Sequence, residues 1–311
     1  MKVMNANEAL FSVVIPCYNY GHTVGRAIDS VFSQQGEHSF DVTVIDDGSS
    51  DNSADVASGY EKKYPDVVHY VRQKNSGPAA ARNCGIDETT GQYLIFLDAD
   101  DELTVEAFTI FFDAIATNPE ACLIVGGHDS KHNNGKRRYH SPGKLSKDRV
   151  ETFHAYLRNK LGMANGAVAM KRCVFDRVRY NPALRQSEDI PVFAAIFANY
   201  PSVTVDKATA IIYRHEGSLR SNTSWADKMG FLLVDEIFQH SLPAGCHQYE
   251  RWYRSHKGLS LFRMYFLAGK KQKAINYYHQ AIRLYPKNIF RWTYLRKYLK
   301  MRFKLADSKV E

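Results

Sequence analysis

The sequence predicts an α/β fold, a mixed and mainly parallel sheet with flanking helices, followed by a C-terminal α-helical segment. Three observations carry this. Short apolar runs rich in β-branched residues each stop at a cluster of Asp, Asn or Ser; stretches of helical spacing separate them; and beyond Arg251 the chain becomes helical and dense in Tyr, Phe, Lys and Arg.

The first run, Phe11 to Pro16, ends on proline and has the look of a buried parallel strand. Val24, Ala27, Ile28, Val31 and Phe32 then recur at three- and four-residue intervals, which predicts a helix. Val42 to Ile45 is the second strand, stopping at Asp46-Asp47-Gly48-Ser49. Val67 to Val71 is the third, ending near Asn75-Ser76-Gly77-Pro78, and Tyr93 to Leu97 is the fourth, running into Asp98-Ala99-Asp100-Asp101. Strands alternating with helices argue for βαβ units, whose ligands collect beyond the carboxyl ends of the strands, where these polar clusters fall. A helix is expected over Ala107 to Ala116, a strand over Leu123 to Gly126 and a polar loop or hairpin over His128 to Lys144. Val203 to Arg214, strand-like at both ends, closes a first domain of residues 1–220. Residues 221–311 form the basic, aromatic-rich remainder, in which Leu261 to Asn288 resembles one tetratricopeptide-like hairpin.

Charge is divided along the same boundary. Residues 251–311 hold 16 Lys and Arg against Asp307 and Glu311, a formal +14, while the remaining 25 basic and 31 acidic residues leave residues 1–250 at −6. Aromatic residues suit a headgroup zone and cations an anionic leaflet, so this end is read as a membrane-surface element, with a solvated helical face as the alternative. No recognition motif accompanies the charge, which argues against nucleic acid. The five cysteines are scattered without a C-x-x-C pair, Met1 to Leu10 lacks the apolar core of a secretory signal, and no run approaches ~18 apolar residues. A cytoplasmic protein, peripheral on the inner face of the membrane, is expected.

The strongest chemical signal is Asp98-Ala99-Asp100-Asp101. Carboxylates converging at a strand end are costly to desolvate unless a cation neutralises them, and a divalent metal, Mg²⁺ or Mn²⁺, is the natural partner. Asp46 and Ser49 have two readings, site residues or caps of the following helix. Glu188-Asp189 likewise has two, catalytic carboxylates or acids favoured by a helix N-terminus.

Four motifs in order, Pro16-Cys17-Tyr18-Asn19, Asp46 to Asp51, Asn75 to Asn83 and Asp98 to Asp101, resemble those of inverting family 2 glycosyltransferases of the GT-A fold, a Rossmann-like sheet with flanking helices. The resemblance covers roughly residues 11–220. It implies that Pro16, Tyr18 and Asn19 line a nucleobase pocket, that Asp47 accepts the imide N–H of uracil or thymine, that Asp98 faces the ribose and that Arg82 approaches base or diphosphate. It implies Asp100 as the metal ligand, joined by His215, whose imidazole suits Mn²⁺ better than Mg²⁺. It also implies Asp189 as the base that deprotonates the acceptor hydroxyl, with Glu188 in support. The donor is then a nucleotide-diphosphate sugar, UDP- favoured and dTDP- possible. The acceptor is a lipid-linked or oligosaccharide chain in lipopolysaccharide core, O-antigen or capsule synthesis. Arg214 is a further diphosphate candidate, and Asn165-Gly166 a small flexible element for acceptor approach. Gln248-Tyr249-Glu250-Arg251-Trp252 matches the Q-x-x-R-W of processive synthases, but its distance from Asp189 and the absence of following transmembrane runs count against that role. A sugar nucleotidyltransferase would carry a Gly-rich loop after the first strand, where Pro16 to Asn19 stands instead. A non-catalytic helical scaffold would need neither Asp100 nor Asp189.

Overall fold

The computed structural model describes residues 9–132, 134–214, 230–239 and 241–303. The chain divides into two compact units, Met1–Arg220 and Ser221–Glu311.

In the first unit, nine strands join one sheet among the described residues: β1 (Phe11–Cys17), β2 (Phe40–Asp46), β3 (Val68–Arg72), β4 (Tyr93–Phe96), β5 (Glu102–Leu103), β6 (Leu123–His132), β7 (Arg137–His140), β8 (Val168–Lys171) and β9 (Ser202–Arg214). The order is β3-β2-β1-β4-β8-β6-β9-β5, with β7 hairpinned onto β6. The first four strands are mutually parallel, β8 runs antiparallel to both β4 and β6, and β6 pairs in parallel with β9. Because β2 and β4 flank β1, the chain leaves β1 in one direction and returns on its other side. In open α/β sheets such a reversal is where ligands bind, beyond the carboxyl ends of the strands.

The alternating and helical patterns explain the layers. Phe11, Val13 and Ile15 point to a core completed by α1 (Val24–Phe32), which buries Val24, Ala27, Ile28 and Val31, and by α4 (Ala107–Thr117), whose Phe108 stacks on Phe11 at 4.8 Å. Each of the fully buried Val, Ile and Phe side chains contributes roughly 1.5–3 kcal/mol. Helix α2 is Ser53–Lys63 and α3 is Pro78–Asp87. On the opposite face of β1, α3 lies so close that a Cβ on Gly85 would collide with Val14. Arg82, one turn earlier on the same face of α3, is thereby carried to the strand ends. Helix α5 is Arg149–Leu157, and α6 (Asp189–Asn199) buries every side chain from Pro191 to Ala198.

Two expectations change here. The strand expected over Leu123 to Gly126 runs on to His132 as one arm of a hairpin, with register shifts against β9 around Gly127. Asn165-Gly166 is not an open flexible element: it sits in a 3₁₀ turn, Asn165–Ala167, with Gly166 buried against Leu97 and Ala210. The missing Cβ there serves packing.

The second unit contains α7 (Leu232–Gln239), α8 (Glu250–Leu267), α9 (Lys271–Leu284) and α10 (Trp292–Phe303). A short turn at Gly269, φ +69°, folds α9 back on α8. Gly258 meets Ala281, Tyr265 stacks on Tyr277 at 5.4 Å, and Tyr278 stacks on Tyr298 of α10 at 4.3 Å. Gln248 lies in the 3₁₀ turn Ala244–Tyr249 and Trp252 stacks on His256, so the Q-x-x-R-W residues belong to this helical unit. No helix of the described residues is long and apolar enough to cross a membrane.

Candidate active site

The site grows from the ends of β1, β2 and β4. After β1, the chain turns at Asn19, which takes φ +59°, a left-handed conformation that Asn tolerates better than most residues. The turn is tied to the Ser49–Ser53 loop: Asn19 donates its backbone N–H to Ser49 Oγ, and its Oδ1 accepts from Ser50 N at 2.8 Å. Tyr18 stands 48% exposed beside it, and Pro16 is partly covered. Asp46 and Ser49 cap no helix. Asp46 Oδ1 accepts from Ser49 N and its Oδ2 from the Tyr70 hydroxyl, while Asp51 receives the N–H groups of Gly21 and Ser53.

Asp47 is buried. Its Oδ1 accepts from Gln73 Nε2 at 2.7 Å and Ser76 N at 2.8 Å, and its Oδ2 accepts from Gly77 N at 2.8 Å. The carboxylate therefore pins the Asn75–Gly77 loop to the end of β2. Gly77 holds φ +91° just before Pro78 opens α3, and Arg185 packs where its Cβ would stand. Replacing Asp47 by Ala leaves the buried Gly77 N–H unsatisfied, at roughly 1–3 kcal/mol, and releases the less buried Gln73 and Ser76 donors that hold the loop. Urea unfolding of Asp47→Ala is expected to show a loss of at least about 2 kcal/mol, whatever ligand is present.

Arg82 is buried on α3. Its Nη2 donates to Asp98 Oδ1 at 2.8 Å, its Nη1 pairs with Glu188, and its guanidinium lies 5.6 Å from the Tyr180 ring centroid. Burial disfavours its charge, but Asp98 and Glu188 more than offset this and hold the proton more tightly than usual. The pairing joins the end of β4 to the start of α6. Ser187, at φ +59°, turns the chain so that Glu188 faces Arg82 and Asp189 opens the helix. Strain of this kind costs on the order of 1–3 kcal/mol and persists where the surroundings impose it.

Asp189 is pushed up to about 6, by burial first and by the Glu188 charge second, with Arg82 opposing. Burial pushes the Asp98 carboxyl up, Arg82 draws it back, and Asp100 raises it again. Asp101 accepts from Tyr213 N at 2.8 Å and is pushed up to about 8 by burial and by Asp98 and Asp100. Tyr20 is pushed up to about 12, by burial and then by Asp100 and Asp98. Arg26 donates to the Asp100 carbonyl at 2.6 Å and pairs with Glu102 at 2.8 Å, fixing the backbone of this acidic turn.

The surplus negative charge around Asp98, Asp100 and Asp101 fits a hard, oxygen-seeking divalent cation. Asp101 Oδ1 accepts the Tyr213 N–H and Asp98 Oδ1 the Arg82 Nη2–H, so each has its second oxygen for such a cation, beside Asp100. Among the described residues no group of three His, Cys, Asp or Glu is placed to hold a metal, so further ligands must come from a diphosphate, water or residues beyond these. His215 lies outside the described residues; Arg214 ends β9.

Of the residues expected from sequence, Arg82, Asp98, Glu188 and Asp189 are brought together, with Asp100 next to Asp98. Asp47 is placed one loop away as the brace of the Asn75–Gly77 turn. The Arg82–Glu188 pair escaped sequence reading, as did Tyr180 beneath Arg82 and Arg185 against Gly77. Nothing in their spacing signals a contact, because the partners lie on separate elements.

The family model described as "Glycosyl transferase family 2" matches residues 12–179. The chain is 41% identical over 101 residues to the uncharacterized glycosyltransferase YibD of Escherichia coli (strain K12), covering 32% of this chain and 28% of that one. It is 33% identical over 120 residues to the minor teichoic acid biosynthesis protein GgaA of Bacillus subtilis (strain 168), covering 37% and 27%. The aligned segments thus span under a third of either relative. The crystal structure of S. aureus TarS 1-349 in complex with UDP-GlcNAc matches with a TM-score of 0.68 at 18% identity, over 94% of this chain and 90% of that one, a likeness of fold. With the sheet and flanking helices of the GT-A fold in place and more than half of its length matched, this chain belongs to glycosyl transferase family 2.

Proposed function

We propose that this protein transfers a single sugar, with inversion, from a nucleotide-diphosphate donor to a hydroxyl of a cell-surface glycan acceptor at the cytoplasmic face of a membrane. The observation that carries the reading is the ion chain Glu188–Arg82–Asp98, which ties the base-bearing start of α6 to the acidic turn after β4.

In this reading Pro16, Tyr18 and Asn19 line the base pocket, Arg82 lies toward base or diphosphate, and Asp47, which also orders the Asn75–Gly77 loop, accepts the imide N–H of the base. Asp98 faces the ribose while its other oxygen stays paired with Arg82. Asp189 removes the acceptor hydroxyl proton as that oxygen attacks the anomeric carbon, opposite the departing diphosphate. A carboxyl raised to about 6 is a stronger base than an ordinary aspartate and is still ionised at neutral pH. Glu188 keeps Arg82 in place and so fixes where α6 begins. Asp100, with Asp98 and His215 as further candidates, would hold Mn²⁺ or Mg²⁺, which when bound offsets the charge of the leaving diphosphate.

UDP-sugars are the favoured donors, dTDP-sugars the second choice. The structural neighbour solved with UDP-GlcNAc makes that the first donor to try. The lipopolysaccharide, O-antigen or capsule acceptors expected from sequence are joined by wall polymers, in view of the teichoic acid protein among the relatives. The basic second unit is assigned to an anionic membrane surface, near a lipid-linked acceptor.

Thermal unfolding with a panel of UDP-, dTDP- and GDP-sugars, each with Mn²⁺, Mg²⁺ or EDTA, tests this. One donor is expected to raise the Tm and to be slowly hydrolysed only with metal, and Asp100→Ala is expected to lose at least about tenfold in donor affinity with metal present, no change without it. Equal affinity of both proteins in Mn²⁺ would sink the assignment of Asp100.

A further inference from the structure

The turn Pro286–Phe290 and the start of α10 display apolar side chains to solvent. Phe290 is 85% exposed, Trp292 65% and Ile289 41%. Exposed aromatics in a row are costly in water unless something covers them. They are not there through looseness of the turn. Asn288, immediately before them in sequence, is buried: its Nδ2 donates to Ser255 Oγ at 2.7 Å, and Ser255 Oγ donates to the Ala281 carbonyl at 2.6 Å. The Asn288 N–H donates to the Tyr285 carbonyl, and the Arg291 N–H to that of Asn288. A rigid peg therefore fixes the turn to α8 and α9 while its neighbours point outward.

The chain on both sides of the turn carries positive charge only. No Asp or Glu occurs between Glu250 and Asp307. Lys287 is exposed within the turn and Arg291 directly after it, and Arg296 follows Trp292 by four residues, on the same face of α10. Apolar side chains at the tip, ringed by Lys and Arg, match a bilayer surface in which acyl chains lie beneath anionic headgroups. A phosphate-rich polymer would use the cations but has no place for Ile289 and Phe290.

We infer that Pro286–Arg296 is the membrane-insertion element of this protein, with Ile289, Phe290 and Trp292 entering the headgroup boundary and Lys287, Arg291 and Arg296 binding anionic lipid. This rests on the assignment of the second unit to a membrane, and it deepens that assignment from a charge to a defined wedge.

The test is flotation of the full chain with vesicles of phosphatidylcholine alone or mixed with phosphatidylglycerol, without donor or metal, so that the outcome is independent of turnover. Binding is expected to the mixed vesicles and to be weak on phosphatidylcholine. Phe290→Ala with Trp292→Ala should lower the partition coefficient at least tenfold, and Lys287→Gln, Arg291→Gln and Arg296→Gln about fivefold for each charge removed. All five side chains are exposed, so Tm should hold in every variant. If wild type ignores both vesicles, the membrane assignment itself falls. Mixed-vesicle binding that survives the double aromatic change leaves the membrane assignment standing but overturns the wedge. Competition of vesicle binding by soluble polyphosphate with no effect of the aromatic changes assigns the patch to a polymer instead.

Discussion

Asp189→Asn is expected to abolish transfer while sparing donor binding. Removing a general base costs about 10²–10⁴ in kcat, and the amide cannot accept the acceptor proton. The loss should fall on kcat, with the Kd for the donor within about twofold, since Asp189 is assigned to the acceptor side. In wild type, activity should rise with pH through about 6, the value to which burial and Glu188 push this carboxyl. Any residual activity of the variant should lack that limb.

Stability should move the other way. The folded-state pKa of Asp189 lies above the ordinary value near 3.9, so between roughly pH 4 and 6 the folded protein binds more protons than the unfolded chain. Stability from this group is greatest below about pH 4 and declines as pH rises through about 6, above which its full ionisation cost is present. The amide removes that cost but also the favourable charge at the N-terminus of α6. At pH 8 the variant should therefore be more stable by on the order of 1–2 kcal/mol and inactive. A variant that is inactive because it is destabilised would contradict both halves of the argument.

Arg82→Met is expected to be the most destabilising single change in the first unit. It strands Asp98 and Glu188 beside Asp100 and Asp189 with their central cation gone. Removing one partner of a buried ion pair costs about 3–5 kcal/mol, well above the value of the pair when intact, because the remaining charge stays desolvated. The sign with pH follows: stranded carboxylates acquire raised pKa values, so the deficit against wild type should shrink as pH falls from 8 to 5. Adding Glu188→Gln should restore part of the stability but little activity, since α6 is then no longer tied to the acidic turn. Arg82→Lys keeps one contact but not the fork that reaches two carboxylates, so it should fall between. An additive double mutant in urea titrations would show that Arg82 and Glu188 are not coupled.

Tyr18 shows how far a motif can be read without its neighbours. Its place just after the first strand is legible, but that it stands exposed is seen only in the fold. Asp47 shows the limit. Its sequence position marks a strand end, yet the three donors that engage its carboxylate come from a loop whose path depends on Gly77 and Arg185. Arg82, expected to approach base or diphosphate, is also held between Asp98 and Glu188, a pairing that its place in the chain does not announce.

By itself the sequence determined the four strands β1 to β4, the start of β6, the extent of β9, the helical spacing of α1 and α4, the acidic turn after β4 and the concentration of positive charge beyond Arg251. These depend on periodicity, turn residues and composition, which act over a few residues at a time. Only the tertiary structure decided that β8 runs antiparallel between β4 and β6, that α3 approaches β1 closely at Gly85, and that Glu188 meets Arg82 beyond the end of β4. It also decided that Asn288 turns inward while Phe290 and Trp292 face solvent. Each of these joins residues far apart in the chain through packing and desolvation, and neither force leaves a local period to read.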